Sequence, residues 1–279
     1  MMTEKESLLN TLLSLSMIVE ARDPYTGGHL WRVSQFSKLL AQAIGLSRRD
    51  IVLCEIGGFL HDLGKVGVPD AILNKPERLS DIEYSVIRTH PGVGSRLLAN
   101  HPLANLAMDA VVGHHERPDG NGYPNGISGE VIPQVARIVS IADAFDAMTS
   151  TRAYRKGMSI EAALLIIGNE LGTQFDSELA KVFMTLNATV HLSHIVGHSE
   201  PGLPLHWCPC GAPVVLRSAQ HNGDLVYCRN CGGEARIHKN GGEAKIELTG
   251  GRGDASILAP DSDPDLIGGM VSEIAPHVI

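Results

Sequence analysis

Thirteen histidines and five cysteines in a chain of 279 residues invite a reading by spacing. His61 and Asp62 are adjacent at the end of an apolar run in which Ile51, Val52, Leu53, Ile56, Phe59, Leu60 and Leu63 recur at helical spacing. Removing an ionised carboxylate from water there is costly unless a cation or several donors compensate, and a bound metal would do so. Alone, the dipeptide reads as a helix-end acid beside a satisfied imidazole. It has company. His29 follows Gly27 and Gly28, His90 precedes Pro91, His114 and His115 end the run NLAMDAVVG, and Asp143 sits amid the apolar positions of PQVARIVSIADAFDAMTS. Such an acid needs a partner. These seven nitrogen and oxygen ligands on at least five elements exceed the needs of one ion with open positions and suit two ions sharing a carboxylate. Two ions about 3.5 to 4 Å apart are standard apparatus for phosphoester hydrolysis. Lys65, three residues past Asp62, and the pair Arg152 and Arg155, expected to share a helix face, add cations suited to phosphate oxygens.

The cysteines suggest a second kind of site. Cys54 lies in the apolar run before His61 and is most simply a small core residue. Cys208 and Cys210, then Cys228 and Cys231, bracket short alternating segments (VVLRS, DLVYC, ARIHK, AKIEL) with the pattern of hairpin strands. In a reducing compartment two close pairs indicate metal before disulfides, and so small a β unit needs a staple, so a closed structural zinc site on Cys208, Cys210, Cys228 and Cys231 is expected. One residue separates the first pair, where two are usual. Four thiolates leave no open position, so this module is expected to dock a partner or position the rest of the chain.

The elements that must carry these residues are helical as far as about residue 190. SLLNTLLSLSMIVEA has an amphipathic pattern, the segment DIEYSVIRTHPGVGSRLLA predicts two helices with His90 at their junction, and DGNGYPNG supplies turn signals after His115. No strand pattern of weight occurs before the cysteines. The expected fold is therefore an all-α helical bundle followed by a small β zinc-ribbon-like domain. Its expected boundaries are 1–190 for the helical hydrolase domain, 191–205 for a linker, 206–249 for the ribbon and 250–279 for an acidic mobile tail, in which Gly, Asp and Pro abound. His191, His194 and His198 are expected to be solvated. A net charge of -8 argues against broad nucleic-acid binding. No apolar run approaches the roughly 18 residues that span a bilayer. With no basic region and apolar core at the N-terminus, the expected location is cytoplasmic.

The order GGH, HDLGK, THP, HHERPDGNGYP, IADAFDAMTSTRAYR and QFDSELA, from about Asn10 to Leu186, closely resembles the HD-GYP domain, the branch of HD hydrolases that cleaves cyclic dinucleotides in bacteria. The resemblance implies metal ligands at His29, His61, Asp62, His90, His114, His115 and Asp143, with Asp62 bridging. It further implies Lys65, Arg152 and Arg155 on substrate phosphates and Tyr123 at the guanine end, with Arg117 and Asp119 shaping the loop. Some members carry Glu at the position of Tyr25 and hold a third metal with it; tyrosine is a poor ligand there, so two metals are expected, iron or manganese. The implied reaction is in-line attack of a metal-activated water on cyclic di-GMP, yielding pGpG and, by a second cut, GMP. The resemblance leaves open another cyclic dinucleotide such as cyclic GMP-AMP, or a non-hydrolysing sensor signalling through the ribbon. The ribbon or GYP loop could receive a protein partner, and a homodimer is compatible with the sequence.

Overall fold

The computed structural model describes the chain apart from Met1, Tyr25, Pro76, 152–154, His191 and 241–242, and the side chains of 189–190. The described residues include eleven α-helices. The first, α1 (Glu4–Glu20), opens in a capping box in which Thr3 and Glu6 satisfy each other's backbone N–H groups. Helix α2 (His29–Ala43) begins at the first expected ligand, and α3 (Arg48–Leu60), capped by Ser47, delivers His61 and Asp62 at its C-terminal end. A 3-10 turn (Leu63–Gly67) and α4 (Asp70–Leu73) follow. Helices α5 (Asp81–Ile87) and α6 (His90–Leu98) meet at His90, with Pro91 in the first turn of α6 as its missing N–H allows. Helix α7 (Met108–Gly113) ends at His114, and α8 (Gln134–Thr149) carries Asp143. Helices α9 (Ile160–Asn169) and α10 (Ser177–Val190) complete the bundle. Its centre is apolar, with Phe36, Phe145 and Phe183 from α2, α8 and α10 meeting edge to face at 5.0, 5.1 and 6.3 Å.

The segment expected to be a linker is folded. Leu192 and Ile195 are buried in the main core, and β1 (His198–Glu200) pairs antiparallel with β2 (Leu203–Pro204). His198 lies in that strand, while His191 falls outside the described residues. The ribbon has a hairpin of β3 (His206–Trp207) and β4 (Pro213–Val214) and an antiparallel sheet of β5 (Leu225–Tyr227), β6 (Gly233–Asn240) and β7 (Glu243–Arg252). Small antiparallel strands around the cysteines agree with the expected fold class.

The expected mobile tail is the larger correction. Residues Pro264–Val278 form α11, whose first turn is capped by the Asp263 carboxylate accepting from Asp265 and Leu266 N–H at 3.1 Å. Ile267, Met270, Val271 and Ile274 recur at helical spacing and are buried in the main core, where α11 packs against α1 and α3. Burying four large apolar side chains, each stabilising by about 1.5–3 kcal/mol, overrides the polar composition upstream. Among the described residues no helix is long and apolar enough to cross a membrane.

Candidate metal centre and cleft

The chain positions these histidines at helix ends, three of them within reach of a carbonyl of the helix just before. His61 Nδ1 donates to the Gly58 carbonyl at 2.8 Å, His90 Nδ1 to Ile87 at 2.8 Å and His114 Nδ1 to Ala110 at 2.9 Å. His29 Nδ1 donates to Asp146 Oδ2 at 2.8 Å. Each bond puts a ring hydrogen on Nδ1, which in the neutral ring leaves the Nε2 lone pair for the interior. Gly64 lets the turn after Asp62 lie against α6, because a Cβ there would overlap the His90 carbonyl oxygen.

These lone pairs face one another. His90 Nε2 and His114 Nε2 stand 3.2 Å apart with no hydrogen to share, and His61 Nε2 is buried without a hydrogen-bond partner, 3.3 Å from Asp62 Oδ2. Acceptors meeting acceptors in a buried site are unfavourable, and a cation among them removes the conflict. The ligand atoms of His29, His61 and Asp143 lie within 4.8 Å of one another, as do those of His61, Asp62 and His114, and of His90, His114 and His115. Asp62 stands between the groups. Its Oδ2 is 3.7 Å from His29 and 3.3 Å from His61, while Oδ1 is 3.4 Å from His90. The nitrogen and oxygen donor set therefore fits divalent metal ions.

The electrostatics follow from burial. It lowers the basicity of His90 and of His114, where His115, His61 and His90 add to it, and pushes His115 down to about 3. His29 differs. Burial opposes its charge, yet the Asp146 and Asp62 carboxylates outweigh that and hold it at about 10. Asp62 stays well below the usual carboxylate range because Lys65 and His61 outweigh its burial. Lys65 Nζ reaches Asp62 Oδ2 at 2.5 Å, and Arg22 fixes the lysine's loop by donating to the Lys65, Val66 and Val68 carbonyls at 3.2, 3.1 and 2.7 Å.

His114, His115 and Asp143 open onto a cleft of about 650 Å³ that is also lined by Tyr84, Arg88, Arg117, Asn121, Tyr123 and Gln174. Tyr123 stacks on His115 with centroids 4.6 Å apart, and the Arg88 guanidinium lies 4.6 Å from the Tyr123 centroid. Arg117 pairs with Asp119 at 2.8 Å, and Asp119 Oδ1 also accepts from Asn121 N–H, so both shape the loop. Arg155 lies beyond α8, which ends at Thr149, and donates to the Ala147 carbonyl. The helical spacing expected to align it with Arg152 is therefore absent at Arg155; Arg152, like Tyr25, lies outside the described residues.

In the ribbon the four thiols converge. Cys208 and Cys231 sulfurs are 3.6 Å apart, Cys210 and Cys228 sulfurs 3.5 Å, and all four lie within 4.8 Å of one another. Sulfurs bonded to one tetrahedral zinc at about 2.3 Å would stand about 3.8 Å apart, whereas a disulfide would bring two to about 2.05 Å. The thiols fit a metal. The short first knuckle closes because Gly211 takes φ 88° and donates to the Cys208 carbonyl.

Sequence reasoning missed Asp146, Arg32, Arg22 and Arg88. Asp146 and Arg32 each follow an expected ligand by three residues on its own helix, the spacing that brings side chains together, and that was the available signal.

Residues 14–179 match the family model described as HD domain. A cyclic di-GMP phosphodiesterase response regulator of Xanthomonas campestris is 40% identical over 168 residues, covering 60% of this chain and 44% of that protein. A 3'3'-cGAMP-specific phosphodiesterase of Vibrio cholerae is 40% identical over 162 residues, covering 58% and 35%. A cyclic di-GMP phosphodiesterase of Thermotoga maritima is 36% identical over 191 residues, covering 67% and 52%. The chain thus spans about half or less of the length of these relatives. With its helical bundle and its adjacent His61 and Asp62 at the centre, the chain belongs to the HD domain family.

Proposed function

We propose that the chain is a metal-dependent phosphodiesterase that hydrolyses cyclic di-GMP to linear pGpG and onward to GMP. The observation that carries this reading is Asp62, whose two oxygens turn to different histidine groups beside a cleft of about 650 Å³. The seven residues His29, His61, Asp62, His90, His114, His115 and Asp143 would hold two ions, iron or manganese. When bound, such a pair supplies Lewis acidity and an activated water for in-line displacement at phosphorus. The chain supplies the rest. Lys65 offers positive charge to the non-bridging phosphate oxygens. Tyr123, braced by His115 and Arg88, offers an aromatic face for a guanine base. Arg152 and Arg155 are proposed to meet the substrate's phosphate rim. Cys208, Cys210, Cys228 and Cys231 would hold one structural zinc, which suits a reducing cytoplasm. The ribbon and the GYP loop are the proposed surfaces for a protein partner or a second copy.

A second reading is favoured by one observation. One relative named as 3'3'-cGAMP-specific matches this chain at 40% identity, as closely as the response regulator named for cyclic di-GMP. Incubating metal-analysed protein with each dinucleotide and chromatographing the products tests both. Conversion of cyclic di-GMP to pGpG is expected. Turnover of cyclic GMP-AMP alone would select the second reading, and binding without product in both iron and manganese forms would make the protein a sensor.

A further inference from the structure

The Arg32 side chain joins the C-terminal module to the histidine-aspartate centre. Arg32, 2% exposed, donates from Nε to Asp146 Oδ1 at 2.5 Å and from Nη2 to Asp146 Oδ2 at 3.1 Å. Its Nη1 donates to the Gly27 carbonyl at 2.5 Å and to the carbonyl of His198, in β1, at 2.8 Å. Asp146 Oδ2 in turn accepts from His29 Nδ1. A hydrogen-bonded line thus runs from β1 through Arg32 and Asp146 to an imidazole of the centre.

Strand β1 is tied to the cysteine module. Gly28, at φ +68°, allows the approach, for a Cβ there would stand 2.5 Å from Ser199 Cα. Ser199 is buried, and its hydroxyl lies 3.3 Å from the Leu203 carbonyl and 3.4 Å from that of Leu216. Leu216 shares the module's small core with Cys208 and Cys228. On the other side, a Cβ on Gly27 would meet Val215, Leu205 and Pro213 within 3.3 Å, so the loop before His29 is packed against the module.

We propose that Arg32 is a positioning residue through which the C-terminal cysteine module braces the metal centre. Without the His198 carbonyl, Arg32 Nη1 loses one of its two acceptors and Asp146 loses its fixed neighbour, so His29 can turn. Groups that orient a metal-ligating histidine typically control affinity by about 10- to 100-fold. The inference rests on the metal reading above, but not on the substrate.

Four versions of the 279-residue chain test it: wild type, Arg32→Lys, Cys210→Ser and the double variant. Bound manganese is measured against free Mn²⁺, with zinc counted in the same samples. Arg32→Lys keeps one charge but cannot span both acceptors, so half-saturation is expected to rise about 10-fold with zinc retained. Cys210→Ser should lose zinc and give a similar rise, and the double variant should lie within about twofold of Arg32→Lys, because the line is already cut. Zinc loss with unchanged manganese affinity would overturn the proposal, as would two shifts that multiply. Where a substituted chain does not fold, stripping ribbon zinc from the wild type with a thiol-specific mercurial asks the same question, since Cys54 is buried. A protein that shows the shift yet leaves cyclic di-GMP intact keeps the brace and loses the assigned substrate. One that hydrolyses it and shows no shift loses the brace alone. A wild type that takes up no manganese or iron overturns the metal reading and the brace together.

Discussion

The histidine-aspartate centre and the cysteine cluster both gather distant side chains within a few ångströms, and they differ in what they leave free. At the first, imidazoles are aimed by backbone carbonyls and Asp146, their lone pairs converge on Asp62, and one side opens onto a large cleft. At the second, four sulfurs at near-tetrahedral separations would complete the coordination of a single ion. The surroundings differ as well. The helical part has a large apolar core of its own, whereas the ribbon core consists of Cys208, Ala212, Val214, Leu216, Val226, Cys228, Ala235, Ile237 and Ala244. The contrast separates a donor set with an open side, suited to an ion that would serve chemistry, from a closed one suited to an ion that would serve folding.

Removing one thiol should break the ribbon most severely. Cys228→Ser is expected to abolish hydrogen-exchange protection in β5 to β7 while the helices stay protected, since structural zinc supplies on the order of 10 kcal/mol in small metal domains. Persistent protection would mean that the strands need no ion. At the other centre Asp62→Ala should remove metal and activity together, about a thousandfold in turnover, equivalent to about 4 kcal/mol. Hydrolysis retained at full metal occupancy would contradict the bridging role. Ile267→Ala, in α11, should cost about 2–5 kcal/mol in denaturant unfolding of the helical part with both metal contents unchanged. A neutral outcome would return α11 to the status of a tail. Arg22→Ala should cost about 1–2 kcal/mol and loosen the Lys65 loop, read as a lower unfolding midpoint at constant slope. An unchanged midpoint would assign the arginine to the surface.

The contrast between the two centres was largely legible in the sequence, because donor type and element boundaries are local properties. His90 before Pro91 and His61 at the end of an apolar run are both positions that one stretch of chain specifies. Arg32 and Asp146 carried only a local signal, their spacing of three from an expected ligand, while their importance lies in contacts 114 residues apart in sequence. The tail was misjudged for a different reason. Gly and Asp in GRGDASILAPDSD suggested disorder, while Asp263, Pro264 and the apolar residues at 267, 270, 271 and 274 spelled a capped amphipathic helix whose partner surface on α1 and α3 only the fold supplies. The linker failed likewise, its Leu192 and Ile195 finding burial in a core assembled elsewhere.

The central claim is that Asp62 joins two ions in the helical domain while the ribbon holds a third of another kind. Anomalous diffraction from crystals of the full chain, at the manganese, iron and zinc edges, tests it most directly. The account predicts two manganese or iron peaks about 3.5 to 4 Å apart on either side of the Asp62 carboxylate, and one zinc peak among Cys208, Cys210, Cys228 and Cys231. A single ion in the histidine centre, or two that Asp62 does not bridge, would contradict it.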